Sequence, residues 1–151
     1  MIPPNYPAPT GCDRSIGSRI LIRAASHPPT RRTHIKLNHL NLTVSNVLET
    51  HRFLQKHFGL KGLGGEPSEA MGFLSDDNGL VLSLFRAAKG TEVKYPPGFH
   101  VGFVQESEER VDQMNQRLRE DGFKVPKPAR LHGSWTFYFQ APGGFTVEVL
   151  C

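Results

Sequence analysis

Trp135-Thr136-Phe137-Tyr138-Phe139-Gln140-Ala141-Pro142-Gly143-Gly144-Phe145-Thr146-Val147-Glu148-Val149-Leu150 is the stretch that decides the fold. It holds two alternating segments, 135–140 and 145–150, on either side of an Ala-Pro-Gly-Gly turn. Side chains of a strand alternate between its two faces. Trp135, Phe137 and Phe139 therefore share one apolar face, and Phe145, Val147 and Val149 share another. Thr136, Tyr138 and Gln140 take the opposite parity, and so does Glu148. A carboxylate between two valines near the end of an apolar strand is costly unless it is paired or bound to a cation.

The same grammar recurs earlier in the chain. His39-Leu40-Asn41-Leu42-Thr43-Val44 and Phe99-His100-Val101-Gly102-Phe103-Val104 each put a histidine opposite an apolar face. A strand at 35–44 is followed by Ser45-Asn46, and Asn46 with Glu49 forms a capping-box pattern. Val47, Leu54 and Phe58 mark the face of a first helix that Gly59 stops. His51 and His57 are expected on its solvated side, and His34 borders the preceding segment. Strands at 71–75 and 80–85 flank Asp76-Asp77-Asn78-Gly79, a strong hairpin turn. After the strand at 99–104, a helix is expected over 107–120, with Val111, Met114 and Leu118 on one face. A further strand should precede each hairpin, at 60–64 and 123–127. Each half thus reads β-α-β-β-β, a duplication of about 55 residues visible in pattern more than in identity.

Superposing the halves pairs His39 with His100. Aligning the turn glycines, Gly79 and Gly144, places Ser83 opposite Glu148. Four equivalent positions would carry three good donors (His39, His100, Glu148) and one serine. Two imidazoles and a carboxylate make an open-sided divalent metal site, with positions left for water and substrate. The set suits Fe(II), Mn(II), Zn(II) or Ni(II). Tyr138 shares the parity of Glu148 and is placed to position or protonate an oxygen at the metal. Asn41, Thr43, Ser83, Thr136 and Gln140 share the cavity parity and predict a polar pocket. Each donor also has a plainer reading: a surface histidine, an acid on an exposed sheet face, a tyrosine filling the cavity wall.

Charge narrows the function classes. The chain carries 18 basic and 14 acidic residues, a net charge of +4. Residues 1–33 hold five arginines and one acid, whereas 34–151 hold 13 of each sign. The body therefore has no basic footprint for nucleic acid. Six of the twelve prolines also fall in residues 1–33, so this stretch is read as a disordered Pro/Arg-rich extension. The Arg-flanked apolar patch at 18–26 is weighed as a targeting peptide, and a dispensable extension is preferred. The domain is 34–151, with modules 35–86 and 98–151. No apolar run is long enough to span a bilayer. Cys12 and Cys151 lie near opposite ends and form no disulfide framework, which favours a reducing, cytoplasmic setting.

The run Phe137–Glu148, with His39, the Asn78-Gly79 hairpin and His100, resembles the vicinal oxygen chelate superfamily, the glyoxalase, bleomycin-resistance and dioxygenase group. The likeness covers 35–151. An alanine at 141 stands where the family more often has aspartate. The resemblance implies an α+β fold of two tandem βαβββ modules, mixed sheets curled around a metal-binding cavity and helices outside. It implies His39, His100 and Glu148 as metal ligands, a small substrate presenting adjacent oxygens, and modules that pair within a chain or across a homodimer, the expected assembly. In ring-cleaving extradiol members a histidine stands shortly before such a tyrosine, which makes His132 a candidate base behind the metal ligands, acting with Tyr138. The spacing here is about one residue shorter than that pattern. Ser83 departs from the four-ligand glutathione-dependent lyases. The serine- and glycine-rich cation loop of fosfomycin-modifying members is not seen before Tyr138. A divalent-metal-dependent lyase or dioxygenase is the leading expectation, with extradiol cleavage one candidate reaction. A non-catalytic binding or sequestering protein of the bleomycin-resistance type is the alternative.

Overall fold

The computed structural model describes residues 35–151. The expected extension at 1–33, His34 and Cys12 lie outside the described residues.

The body contains eight strands and two helices: β1 (His39–Val44), α1 (Val47–Phe58), β2 (Lys61–Gly62), β3 (Met71–Ser75), β4 (Val81–Arg86), β5 (His100–Val104), α2 (Glu108–Glu120), β6 (Ala129–Leu131), β7 (Ser134–Gln140) and β8 (Thr146–Leu150). They form two four-stranded mixed sheets, ordered β1-β4-β3-β2 and β5-β8-β7-β6. In each, the first strand runs parallel to the last and the remaining pairs are antiparallel. The fold is α+β with two tandem modules, as expected. The sheets are not closed: among the described residues no strand pairing joins them.

Local chemistry accounts for the element ends. The Asn46 side chain accepts from the Glu49 amide at 3.1 Å to start α1, and Gly59 ends it in the left-handed region. Ser107 caps α2 through the Arg110 amide. β1 starts at His39, not at 35, because its partner β4 begins at Val81, opposite His39. Ile35 and Leu37 precede this pairing and are exposed. The strand expected at 123–127 is not formed. Pro126 and Pro128 lack the amide hydrogens a ladder needs, and the third strand of the module is Ala129–Leu131 instead.

The register carries the duplication into space. His39 lies opposite Val81, two residues before Ser83. His100 lies opposite Thr146, two residues before Glu148. Position 39 is thus to 83 what position 100 is to 148.

Both helices cover the apolar sheet faces, and those faces share one core. Leu42, Val44, Leu74 and Leu84 from the first sheet join Phe137, Phe139, Val147 and Val149 from the second. The modules lock through aromatic contacts. Phe53 meets Phe123 at 5.2 Å and Phe139 at 6.1 Å between centroids, and Phe58 stacks on Phe103 at 4.0 Å. Lys56 pairs with Asp121 at 2.9 Å across the same seam. His57 is buried at this seam and His51 against the first sheet, at 9% and 3% exposure, contrary to the solvated placement expected from the sequence. Both belong to the Val47, Leu54 and Phe58 stripe once it is widened by one position. His51 Nε2 meets the Phe73 carbonyl at 3.3 Å, and the His57 ring packs on Phe53 and Phe123. Burial pushes the His57 imidazole below its ordinary value, against the opposing pull of Asp121.

Candidate functional site

Because the apolar faces turn inward, the faces that carry the donor residues turn outward. On the second sheet, Gly102, Glu148 and Tyr138 lie in one cross-strand row and His100, Thr146 and Gln140 in the next. Glu148 is buried, with 8% of its surface exposed. Its Oε1 accepts from the Tyr138 hydroxyl and lies 3.0 Å from Thr136 Oγ1. The Thr136 hydroxyl also reaches the Val149 carbonyl at 2.9 Å, so its single proton serves two acceptors. Oε1 is thereby engaged, and Oε2 faces His100 Nε2 at 3.2 Å.

His100 is arranged in the complementary way. Its Nδ1 lies 2.9 Å from the Gly98 carbonyl, which can only accept. With Nδ1 donating to that carbonyl, Nε2 is the ring atom left facing Glu148, free to offer its lone pair to a cation placed between them. The Tyr138 ring stands edge-on to the imidazole, 5.4 Å away and at 89°. Burial pushes the Tyr138 phenol up to about 12, and its hydrogen bond to Glu148 and the carboxylate charge add to the shift. Tyr138 remains a protonated donor at neutral pH.

This pair fits a divalent cation. Two donors about 2.1 Å from one ion and at right angles stand about 3 Å apart, close to the observed 3.2 Å. A histidine whose second nitrogen is anchored on a carbonyl and a carboxylate whose second oxygen is already bonded are the outer supports that metal ligands need.

His39 does not join them within the chain. It lies exposed on the outward face of the first sheet, with Nδ1 3.2 Å from Asn38 Oδ1. Among the described residues no three His, Cys, Asp or Glu side chains gather in a metal-binding group. The reason is architectural: β1 and β5 belong to different sheets whose apolar faces share the core, so their polar faces point apart. Within one chain the donor-bearing faces are open, since the two sheets do not close on one another. Ser83 is buried on the first sheet between Asn41 and Phe73. His132 sits exposed at the tip of the β6–β7 hairpin with φ of 52°, a turn conformation. About 13 Å of strand separates Ser134, at the base of that turn, from Tyr138.

The sequence placed Thr136 on this face but not its contact with Glu148. The signal was its parity and its position two residues before Tyr138. The Gly98 carbonyl that anchors His100 left no trace beyond a glycine before the strand.

A profile of the glyoxalase/bleomycin resistance protein/dioxygenase superfamily matches residues 36–149. Among solved structures, that of a possible glyoxalase from Bacillus cereus is 50% identical, with a TM-score of 0.70, and covers 78% of this chain and 100% of its own. Lactoylglutathione lyase from Agrobacterium tumefaciens is 19% identical, with a TM-score of 0.62 and coverage of 79% and 95%. A point mutant of the fosfomycin resistance protein FosX from Listeria monocytogenes, complexed with Mn(II) and 1S,2S-dihydroxypropylphosphonic acid, is 22% identical, with a TM-score of 0.62 and coverage of 77% and 91%. The last two show likeness of fold. No curated protein matches the chain. No helix among the described residues is long and apolar enough to cross a membrane.

Proposed function

We propose, from the premise that the chain belongs to the glyoxalase/bleomycin resistance protein/dioxygenase superfamily, that it is a divalent-metal-dependent enzyme acting on a small molecule with two adjacent oxygens. His100 and Glu148 of one copy and His39 of a second would hold the ion in a homodimer. A bound Fe(II), Mn(II), Zn(II) or Ni(II) ion would supply Lewis acidity toward the substrate oxygens. The observation that carries the reading is the 3.2 Å approach of His100 Nε2 to Glu148 Oε2, with the other polar atom of each already engaged.

Each residue has a defined task. Gly98 sets the His100 ring through its carbonyl. Thr136 and Tyr138 hold the Glu148 carboxylate, leaving Oε2 forward. Tyr138 keeps its proton, so a substrate oxygen arriving there meets a hydroxyl rather than a phenolate. His39, with Nδ1 turned to Asn38, offers Nε2 outward. Its register equivalence to His100 supports its assignment as the third donor. The exposed His132 receives no role.

The test is metal content of protein purified without added metal, with His39→Ala and Glu148→Gln alongside. The wild type should carry stoichiometric metal and both variants should lose it. Refolding the two variants together should restore three-donor sites at about a quarter of positions, because half the dimers are mixed and each mixed dimer has one intact site. Equal trace metal in all samples removes the reading. Metal-free protein whose small-molecule binding survives His100→Ala would instead be the sequestering kind.

A further inference from the structure

The segment that joins the two modules runs straight into His100. Its last stretch is Tyr95-Pro96-Pro97-Gly98-Phe99. The Phe99 amide bonds the Pro96 carbonyl at 3.1 Å, and Gly98 takes φ of +86°. A proline at the second position and a left-handed glycine at the third are what a type II turn asks for. The Gly98 carbonyl that leaves this turn is the group 2.9 Å from His100 Nδ1. The direction of the imidazole thus depends on the direction of one peptide unit.

Exposed turn residues do not hold a peptide unit by themselves, and Pro96, Pro97 and Gly98 are all exposed. The residues on either side are different. Tyr95 and Phe99 are half-buried and pack against the shared core. Their rings stack across the turn, 4.4 Å apart and 14° from parallel, so opening the turn would part them. The Tyr95 hydroxyl then donates to the Thr43 carbonyl at 2.8 Å, which ties the turn to β1, the edge strand of the first sheet. Burial raises the Tyr95 phenol above its ordinary value, so it keeps the proton that this bond uses.

We propose that Tyr95 is a positioning residue for His100. It clamps the Pro96–Phe99 turn by stacking on Phe99 and anchors it through Thr43, which fixes the Gly98 carbonyl on Nδ1 and leaves Nε2 forward. The His100 side chain is 39% exposed. Without the clamp its ring would return to the Nε2–H form that an unrestrained neutral histidine favours in water, and that form presents a proton where a cation needs a lone pair. The inference rests on the metal-site reading above for what Nε2 meets. The placement of the ring proton is independent of it.

Nitrogen NMR of the isotope-labelled, metal-free full chain tests it, by reading which ring nitrogen of His100 carries the proton at about pH 8.5, where an ordinary imidazole is neutral. The wild type should show the Nδ1–H form. Tyr95→Ala should move most of it to the Nε2–H form, and its Mn(II) affinity, read by competition with a chelator, should fall by roughly tenfold. Tyr95→Phe keeps the stack and loses the bond to Thr43, so it should lie between wild type and Tyr95→Ala in both readings. Gly65→Ala is the stability control. Gly65 has φ of +102° with nothing within 4 Å of its Cβ position, and the variant should melt lower while keeping the wild-type proton position. An unchanged proton position in Tyr95→Ala, or an equal change in Gly65→Ala, overturns the inference. If Tyr95→Ala does not fold, Tyr95→Phe decides, and identity with wild type in both readings overturns it. A wild type that binds no Mn(II) fails the metal-site reading, and the proton position still decides whether Tyr95 sets the ring.

Discussion

Gly143→Ala should be among the most damaging single-methyl additions available in this fold. Gly143 lies in the β7–β8 turn, buried, with φ of +98°. A Cβ built there would stand 2.5 Å from Thr50 Oγ1 and 3.0 Å from both Cβ and Cγ1 of Val44. Neither neighbour is free to retreat. Thr50 is fully buried, with its hydroxyl on the Asn46 carbonyl at 2.7 Å and the Pro142 carbonyl at 3.1 Å. Val44 is fully buried in β1. The Ser45 amide also bonds the Gly143 carbonyl at 3.2 Å, so the turn is pinned against the start of α1. The left-handed backbone costs about 1–2 kcal/mol for a residue with a side chain, and overpacking adds about 1–3 kcal/mol. Gly59→Ala separates the two costs, because Gly59 has φ of +67° but nothing within 4 Å of its Cβ position. For a body of this size each kcal/mol moves the melting temperature by about 3–5 °C. Gly143→Ala should therefore melt about 10–20 °C lower than wild type, and Gly59→Ala only about 5 °C lower. Thermal melts followed by circular dichroism, with urea midpoints beside them, read both. Equal losses for the two variants would refute the clash and with it the close docking of the second module's turn on the first module's helix.

Thr136→Val removes one support of Glu148 without touching a proposed ligand. Metal affinity should fall by about 10–100-fold, read by competition with a chelator, while the far-ultraviolet spectrum stays native. Ser83→Glu should tighten metal binding by supplying the fourth donor that the duplication leaves vacant, at some cost in stability from a partly buried carboxylate. Slower metal loss to excess chelator measures the gain, and faster loss would reject the equivalence of 83 and 148. His57 favours its neutral form in the folded state because burial lowers its pKa below the ordinary 6.5. Its contribution is therefore complete above pH 6.5 and is lost as the pH falls through the lowered value. Urea midpoints at about pH 7.5 and about pH 5.5 should differ more for wild type than for His57→Phe. Equal slopes would place the acid sensitivity elsewhere.

What the sequence discloses here depends on how far each signal must reach. The β7–β8 hairpin was legible because both strands are half-buried, so alternation assigns Tyr138 and Glu148 to one face without further knowledge. The helix caps at Asn46 and Ser107 act over three residues and leave a local mark. The 123–127 segment misled because Phe123 and Val125 are half-buried and mimic strand alternation, whereas Pro126 and Pro128 deny it a ladder. His51 and His57 mislead because a polar side chain at these positions suggests solvent. Periodicity set them on the packed stripe, and the aromatic seam with Phe53 and Phe123 accepts an imidazole there. The relation of His39 to His100 was out of reach for another reason. Periodicity tells which face of a strand a residue occupies but not what that face meets, and α1 of the first module meets the strands and the β7–β8 turn of the second.

Two modules related by duplication carry their donors at equivalent positions, one imidazole each, on faces that look away from one another. Within a single chain, where the apolar sheet faces share one core, position 39 does not meet position 100. The proposed two-fold dimer would bring them together with one operation applied twice, the first-module face of each copy covering the second-module face of the other. Each covered face would then hold one His39, one His100 and one Glu148. The proposed assembly therefore commits to one metal ion per chain and two per dimer. Titration of metal-stripped protein with Mn(II), with the mass measured in parallel, should reach one equivalent per chain with dimers present throughout. One equivalent per dimer, or full loading of a monomer, would show that the three donors do not come together in this way.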